Sequence, residues 1–146
     1  MHVLVVFDHP YGAEAHDNVP NKRSLAAAAL ASVRSGLDQA GHSIDVVDLA
    51  AEGFNPVMSA DELRSWRTGT AMGADVTALQ KRLSAADHLV FVFPVWWAAM
   101  PARTKGFLDR VLAKGYAYDE PKIGGLLSLK VPLPRMRCAG RPNHQR

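Results

Sequence analysis

Residues 88–112, HLVFVFPVWWAAMPARTKGFLDRVL, carry the strongest fold signal in this chain. Residues 89–93 form an unbroken apolar run rich in β-branched and aromatic side chains, which predicts a strand buried on both faces of a parallel sheet. Pro94 cannot donate to a sheet ladder, and Pro101 suits the first turn of a helix. Apolar residues then recur at helical spacing. The stretch therefore predicts a strand, a short loop and a helix.

The loop in this stretch contains two adjacent tryptophans, Trp96 and Trp97. Their side chains leave the backbone in different directions, so they are hard to bury together. Open α/β sheets bind ligands at the carboxyl ends of their strands. We therefore predict that this loop forms one wall of a site for a planar aromatic cofactor. The alternative is that both indoles pack at the rim of the core.

The rest of the chain alternates apolar strands with helices. Ser59 and Glu62 have the spacing of a capping box, and either Asn21 or Ser24 could cap the first helix. Such alternation predicts an α/β fold with one parallel sheet covered by helices on both faces. The predicted strands span residues 3–7, 44–49 and 89–93, with a fourth beginning in 126–131; the predicted helices span about 21–40, 59–66, 75–86 and 101–112.

The segment after the first strand has the parts of an anion site. A helix start carries partial positive charge and unpaired N–H groups, which favour phosphate. The candidates are the hydroxyl of Ser24 and the N–H groups of Leu25 and Ala26, with His9 or Arg23 adding charge. The alternative is that Ser24 is only a cap. No Gly-x-Gly-x-x-Gly or Walker lysine motif follows this strand, which disfavours a Rossmann or P-loop site.

Composition sets further limits. A chain of 146 residues suits one domain, and no apolar run approaches a membrane span. The first residues read directly as a strand and lack signal-peptide features, so we expect a cytoplasmic protein. A single cysteine, Cys138, excludes an internal disulfide, and no spacing indicates a metal site. The near-neutral body disfavours nucleic-acid binding.

Three ordered segments resemble the NAD(P)H:quinone oxidoreductase family. The first is Asp8-His9-Pro10 with residues 17–24, and the second is residues 53–59. The third is residues 93–102 and 105–111 with Tyr116-Ala117-Tyr118. The resemblance implies a flavodoxin-like, doubly wound parallel sheet with strand order 2-1-3-4-5. It also implies a flavin-dependent enzyme that passes hydride from NAD(P)H through flavin N5 to a quinone-like acceptor, and a homodimer.

The resemblance also assigns roles to residues. The cofactor would be FAD or FMN, with its phosphate end at His9, Ser24 and Leu25. Position 26 is Ala where many relatives carry Asn, which removes one side-chain contact. Tyr118 would lie near the substrate pocket. The residues expected to border the isoalloxazine are Pro94, Val95, Trp96, Trp97 and Ala98.

The chain departs from the family after about residue 130. Pro132 and Pro134 would each remove a ladder hydrogen bond from a central strand, and residues 131–146 carry four arginines and no acid. We therefore expect a domain over residues 1–130 and an irregular basic tail over 131–146, as a changed reading frame or a truncation would produce. The last strand and third flavin loop of the family would then be missing. The alternative function is a non-catalytic remnant that serves as an interaction module or retains no activity.

Overall fold

A computed structural model of the chain describes residues 1–119, 128–129 and 135–138. Through the first 111 residues, each strand is followed by helix, with two helices between β2 and β3, as the apolar pattern predicts. The strands are β1 (His2–Phe7), β2 (Ser43–Asp48), β3 (His88–Val92), β4 (Tyr118–Asp119), β5 (Ser128–Leu129) and β6 (Arg135–Cys138); the helices are α1 (Leu25–Gln39), α2 (Ala60–Thr68), α3 (Ala74–Ser84) and α4 (Ala102–Val111).

The main sheet has the strand order β2-β1-β3-β6, and its three neighbouring pairs are parallel. Val5 of β1 lies opposite Val46 of β2 and Val90 of β3. Crossing from β2 to β3 over β1 requires helices on both faces. The fold is therefore the flavodoxin-like, doubly wound α/β fold that the family resemblance implies, and its described strands follow the first four positions of the order expected for that family.

Alternate residues of β1 enter two different cores, because successive side chains of a strand point to opposite faces. Leu4 and Val6 join one core, which includes residues of α3 and α4. Val3, Val5 and Phe7 join the other, which includes residues of α1. Each of these five side chains is buried. Burial on both faces explains why β1 reads as a continuous apolar run.

The helix ends follow local sequence signals. Ser24, rather than Asn21, caps α1, since its side chain accepts from the N–H of Ala27. Both hydrogen bonds of the Ser59–Glu62 capping box are present at α2. Pro101 is the N-cap of α4 but makes no side-chain capping bond. The predicted starts of α2 and α4 are therefore confirmed within one residue, whereas α1 begins at Leu25, four residues after its predicted start at about residue 21.

The chain beyond residue 119 differs from the prediction. Ser128–Leu129 pairs antiparallel with β4 and does not begin a fourth strand of the main sheet; residues 126, 127, 130 and 131 lie outside the described residues. Arg135–Cys138 forms that fourth strand instead, parallel to β3, so the expectation of an irregular tail is wrong for these four residues. Pro132 and Pro134 precede β6 in the sequence, and the expectation about their ladder hydrogen bonds lies outside the described residues. The domain boundary at residue 130 stays a prediction.

Candidate functional site at the switch point of the sheet

The chain leaves β1 toward β2 on one side and later returns to β3 on the other side. Open α/β sheets form a ligand crevice at this point, outside the carboxyl ends of the two strands. The segments that border it are residues 8–24 after β1 and residues 93–101 after β3. The sequence predicts an anion site in the first of these segments and one wall of a cofactor site in the second.

Asp8 joins the two bordering segments. It is 1% exposed, and its carboxylate accepts from the N–H of Thr104 at 3.0 Å, the hydroxyl of Thr104 at 3.0 Å and Nη1 of Arg103 at 3.1 Å. Thr104 is the third residue of α4, so Asp8 supplies the cap that Pro101 lacks. From the sequence alone, Asp8 reads as a turn former, because its partners are 95 and 96 residues away.

His9 follows Asp8 and reaches the opposite loop. Its ring centroid lies 6.4 Å from that of Trp96 and 5.2 Å from that of Tyr11. The N–H of Tyr11 donates to Nδ1 of His9, so the proton of the neutral imidazole is on Nε2. Burial lowers the pKa of His9 below its ordinary value, although the Asp8 carboxylate opposes this shift. Neutral His9 therefore offers a neutral N–H donor rather than a positive charge.

The start of α1 keeps free donors. Ser24 is buried; its hydroxyl oxygen accepts from the N–H of Ala27 at 3.2 Å, and its own N–H donates to the carbonyl of Ala15. Within the described chain, the N–H groups of Leu25 and Ala26 donate to no protein group. The first turn of α4, by contrast, is occupied by Asp8. Of these two helix starts, α1 is thus the one able to receive an anion.

The loop after β3 has an unusual backbone. Trp96 and Ala99 exchange two hydrogen bonds, each 3.0 Å long, around Trp97 and Ala98, which have φ values of 52° and 59°. Positive φ at both central residues is the geometry of a type I′ turn, which favours Asn and Gly. Each non-glycine residue there costs about 1–2 kcal/mol. Strain of this kind concentrates at functional sites.

This turn presents Trp97 to solvent. Its side chain is 100% exposed and that of Trp96 is 46% exposed, so the alternative in which both indoles pack at the rim of the core is excluded. Val95 and Ala98 are exposed as well, and Pro94 is half-buried. Among the described residues, the N–H groups of Trp97 and Ala98 have no protein acceptor. The loop therefore offers a large flat surface and two backbone donors.

Tyr118, predicted near the substrate pocket, begins β4 and packs edge-on against Trp66 of α2, with ring centroids 5.9 Å apart. Tyr116 donates its hydroxyl hydrogen bond to the carbonyl of Gln80, and burial raises its pKa. The role of Tyr118 toward a substrate stays a prediction.

A buried arginine, Arg110, joins α4 to α2, α3 and the segment after β2, and the sequence pattern does not reveal this role. Arg110 is 4% exposed, although its place between apolar residues of α4 predicts a solvated side chain. Its guanidinium donates to the carboxylates of Glu62 and Asp75 and to the carbonyl of Asn55. It also lies 5.1 Å from the ring centroid of Phe54. Arg110 thereby holds α2, α3 and the segment after β2 against α4.

Gly106 allows the same segment to approach α4 closely. A Cβ atom on Gly106 would lie 2.4 Å from both Cα and O of Pro56. The resemblance to the family includes residues 53–59 and 105–111, and the structure shows that these two segments are in contact.

In residues 1–119, 128–129 and 135–138, no three His, Cys, Asp or Glu side chains cluster as metal ligands would. No helix in the same ranges has the length and hydropathy needed to cross a membrane.

The strand order and the crevice between β1 and β3 define the class: this is a flavodoxin-like α/β protein. Residues 1–133 match the model of a protein family whose description is 'flavodoxin-like fold'. The chain belongs to that family.

The relatives agree with this assignment. An uncharacterized NAD(P)H oxidoreductase of Haemophilus influenzae is 31% identical over 132 residues, covering 89% of this chain and 60% of that protein. The NAD(P)H:quinone oxidoreductase of Methanothermobacter marburgensis superposes with a TM-score of 0.72 and 33% identity, covering 82% of this chain and 57% of that one. The resemblance to this family is thus confirmed.

A third relative was solved with a cofactor. General stress protein 14 of Treponema denticola, in complex with FMN, matches with a TM-score of 0.51 and 26% identity, covering 82% of this chain and 53% of that chain. The chain spans about half to three-fifths of the length of these relatives.

Proposed function

We propose that this chain is a flavin-dependent NAD(P)H:quinone oxidoreductase, or the flavin-binding part of one. The observation that carries the proposal is the crevice between β1 and β3. One of its sides is a helix start with free N–H groups, and the other is a strained turn that exposes Trp97. These two surfaces match the two halves of a flavin nucleotide, which are an anionic phosphate and a flat aromatic ring.

The donors present fit such a cofactor. The N–H groups of Leu25 and Ala26 would bind phosphate oxygens, as helix starts do, and Ser24 would hold that turn in place. The N–H groups of Trp97 and Ala98 would serve the carbonyl oxygens of the ring. Because position 26 is Ala, its contact with phosphate is restricted to the backbone.

A bound flavin would supply hydride transfer between a nicotinamide and an acceptor. The residues of this chain have other tasks. Trp97 would cover one face of the ring and exclude water from it, while His9 would donate from Nε2 without adding charge. Asp8 holds α4 and the turn before it in one position relative to β1.

The acceptor is proposed to be a quinone-like small molecule, as the names of the relatives indicate. FMN is the first cofactor to test, because a relative binds it. Use of FAD, the homodimer, the contribution of Tyr118 and the cytoplasmic location stay predictions.

The experiment is a titration of the purified protein with FMN, and separately with FAD, monitored by quenching of flavin fluorescence. Saturable quenching is expected, because an indole beside the isoalloxazine quenches its emission. Trp97→Ala should lose most of the binding while keeping the melting temperature, since a fully exposed side chain contributes no burial. Trp66→Phe is the matched control. Trp66 belongs to α2 and packs against Tyr118 of β4, so it is not part of the turn that carries Trp97.

The activity assay follows on the loaded protein, as oxidation of NADH or NADPH that depends on an added quinone. Binding without turnover would favour the non-catalytic alternative. No quenching with either flavin would refute the proposed function for this chain.

A further inference from the structure

Asp8 is bonded to both ends of the loop that carries Trp97. Its N–H donates to the carbonyl of Val92, the last residue of β3, at 3.0 Å. Its Oδ2 accepts from the N–H and the hydroxyl of Thr104, in the first turn of α4, each at 3.0 Å. Asp8 and Thr104 are both 1% exposed. One buried residue after β1 therefore fixes where the loop over residues 93–101 leaves the sheet and where it enters the helix.

The middle of this loop has few other polar contacts. Within the described chain, the hydrogen bonds of residues 94–100 are the two that Trp96 and Ala99 exchange across the turn. The ring of Trp96 also lies near that of His9, with centroids 6.4 Å apart, and His9 is the residue after Asp8. The polar and ring contacts that connect this loop to the segment after β1 therefore come from two consecutive residues.

The turn needs such support because its backbone is strained. Trp97 and Ala98 have φ values of 52° and 59°, a region that residues with a Cβ atom disfavour. Residues keep such a conformation only where the surrounding structure fixes it. If the ends of the loop were released, the turn would relax toward negative φ. The indole of Trp97 and the free N–H groups of the turn would then lose their common orientation.

We propose that Asp8 is a positioning residue for the flavin ring: by fixing both ends of the loop, it holds the strained turn in the arrangement that receives the isoalloxazine. This inference rests on the proposed function. A wall that is ordered before binding does not have to be ordered during binding. Asp8 therefore raises the affinity for flavin without touching it.

Charge alone predicts the opposite effect of removing Asp8. Its Oδ1 lies 3.1 Å from Nη1 of Arg103, whose side chain is 34% exposed. Asp8→Ala removes a negative charge from the edge of the crevice and leaves the guanidinium of Arg103 without this partner. Both changes favour the binding of an anion such as FMN. A loss of FMN affinity in this variant would therefore come from the position of the loop and not from electrostatics.

The experiment is a titration of the wild-type protein and its variants with FMN, monitored by flavin fluorescence at a temperature where every variant is folded. Asp8→Ala should weaken FMN binding about tenfold. FMN bound at saturation should also be quenched less, because the indole of Trp97 is no longer held at the ring. Asp8→Asn, which keeps one acceptor for Thr104, should lie between Asp8→Ala and the wild-type protein.

A second substitution in the turn tests the mechanism. Ala98→Gly favours the turn without help from Asp8, since glycine adopts positive φ readily. When the double variant is compared with Ala98→Gly alone, the loss caused by Asp8→Ala should fall to less than about threefold. A role of Asp8 in overall stability alone would not produce this coupling.

Glu62→Ala is the matched control. It removes a helix-capping carboxylate that also binds Arg110, as Asp8→Ala removes one that also binds Arg103. The partners of Glu62 are Ser59 and Arg110 rather than residues of the loop after β3. This variant should lose stability while keeping the FMN affinity and the quenching of the wild-type protein.

The outcomes are distinct. Unchanged FMN affinity in Asp8→Ala overturns the inference. An equal loss in Glu62→Ala overturns it as well, since the loss would then arise from general destabilisation, and so does a loss that Ala98→Gly fails to reduce. In these cases the wild-type protein still binds FMN, and the proposed function stands. If the wild-type protein does not bind FMN, the proposed function itself fails, and this inference fails with it.

Discussion

Gly106→Ala should destabilise the protein, against the usual effect of this substitution in a helix. Ala is favoured over Gly in a helix interior by about 1 kcal/mol. Here the new Cβ would lie 2.4 Å from Cα and O of Pro56 and 2.5 Å from its Cβ, whereas ordinary van der Waals contacts lie at 3.4–4 Å. Two of these three atoms are backbone, so no side-chain rotation relieves the contact.

The magnitude follows from these opposing effects. Overpacking of a filled site costs about 1–3 kcal/mol, and the shift of roughly 1 Å required here belongs at the upper end. Subtracting the helix preference leaves a net loss of about 2 kcal/mol in the free energy of unfolding. For a chain of this size that corresponds to a fall of roughly 5–10 °C in melting temperature.

The matched control is Gly36→Ala in α1. Nothing lies within 4 Å of the Cβ position at Gly36, so only the helix preference acts, and the free energy of unfolding should rise by about 0.5–1 kcal/mol. Urea unfolding monitored by far-ultraviolet circular dichroism measures both variants. If Gly106→Ala shifts stability in the same direction as Gly36→Ala, the packing of Pro56 against α4 is not as tight as argued.

Three further predictions concern the crevice. Asp8→Ala should lower the free energy of unfolding by about 2–3 kcal/mol, because it removes a helix cap and a buried ionic contact. Asp61→Ala breaks only the exposed ion pair with Arg64 and should lower the free energy of unfolding by less than about 0.5 kcal/mol. Equal losses for the two variants in urea unfolding would contradict the role of Asp8. Ala98→Gly should raise stability by up to about 1 kcal/mol by relieving positive φ, whereas Ala99→Gly beside it should lower stability in the same thermal melts. Folding lowers the pKa of His9, so the unfolded chain binds a proton at His9 more readily than the folded chain does. The free energy of unfolding therefore decreases as pH falls below ~6.5, the ordinary pKa of histidine. His9→Asn should therefore lose less stability than the wild-type protein between pH 8 and 5.5 in thermal melts, and parallel pH profiles would contradict this.

Several features of the site could be predicted from neighbouring residues alone. Ser59 with Glu62 predicts a helix start because both capping bonds span three residues. Pro94 and Pro101 bracket the loop after β3 because each restricts its own backbone. The sequence could not distinguish Ser24 from Asn21 as the cap of α1, since both side chains can accept a hydrogen bond from a helix N–H. In the folded chain, the N–H of Ser24 donates to the carbonyl of Ala15, a contact that the sequence pattern does not reveal.

Other features depend on distant partners. Asp8 after a strand has the appearance of a turn former, and only the approach of α4 turns its carboxylate into a cap. Arg110 has the spacing of a solvated helix residue, and only the convergence of Glu62, Asp75 and Asn55 encloses it.

The order and type of the elements from β1 to α4, and the two segments that border the crevice, could be predicted from the amino-acid sequence. Periodicity, caps and prolines act over a few residues, so their effects can be read along the chain. Three properties could be seen only in the folded chain: Trp97 is fully exposed, Arg135–Cys138 pairs with β3, and Asp8 anchors Arg103. These properties come from contacts between residues far apart in the chain, and such contacts exist only once the sheet has brought them together.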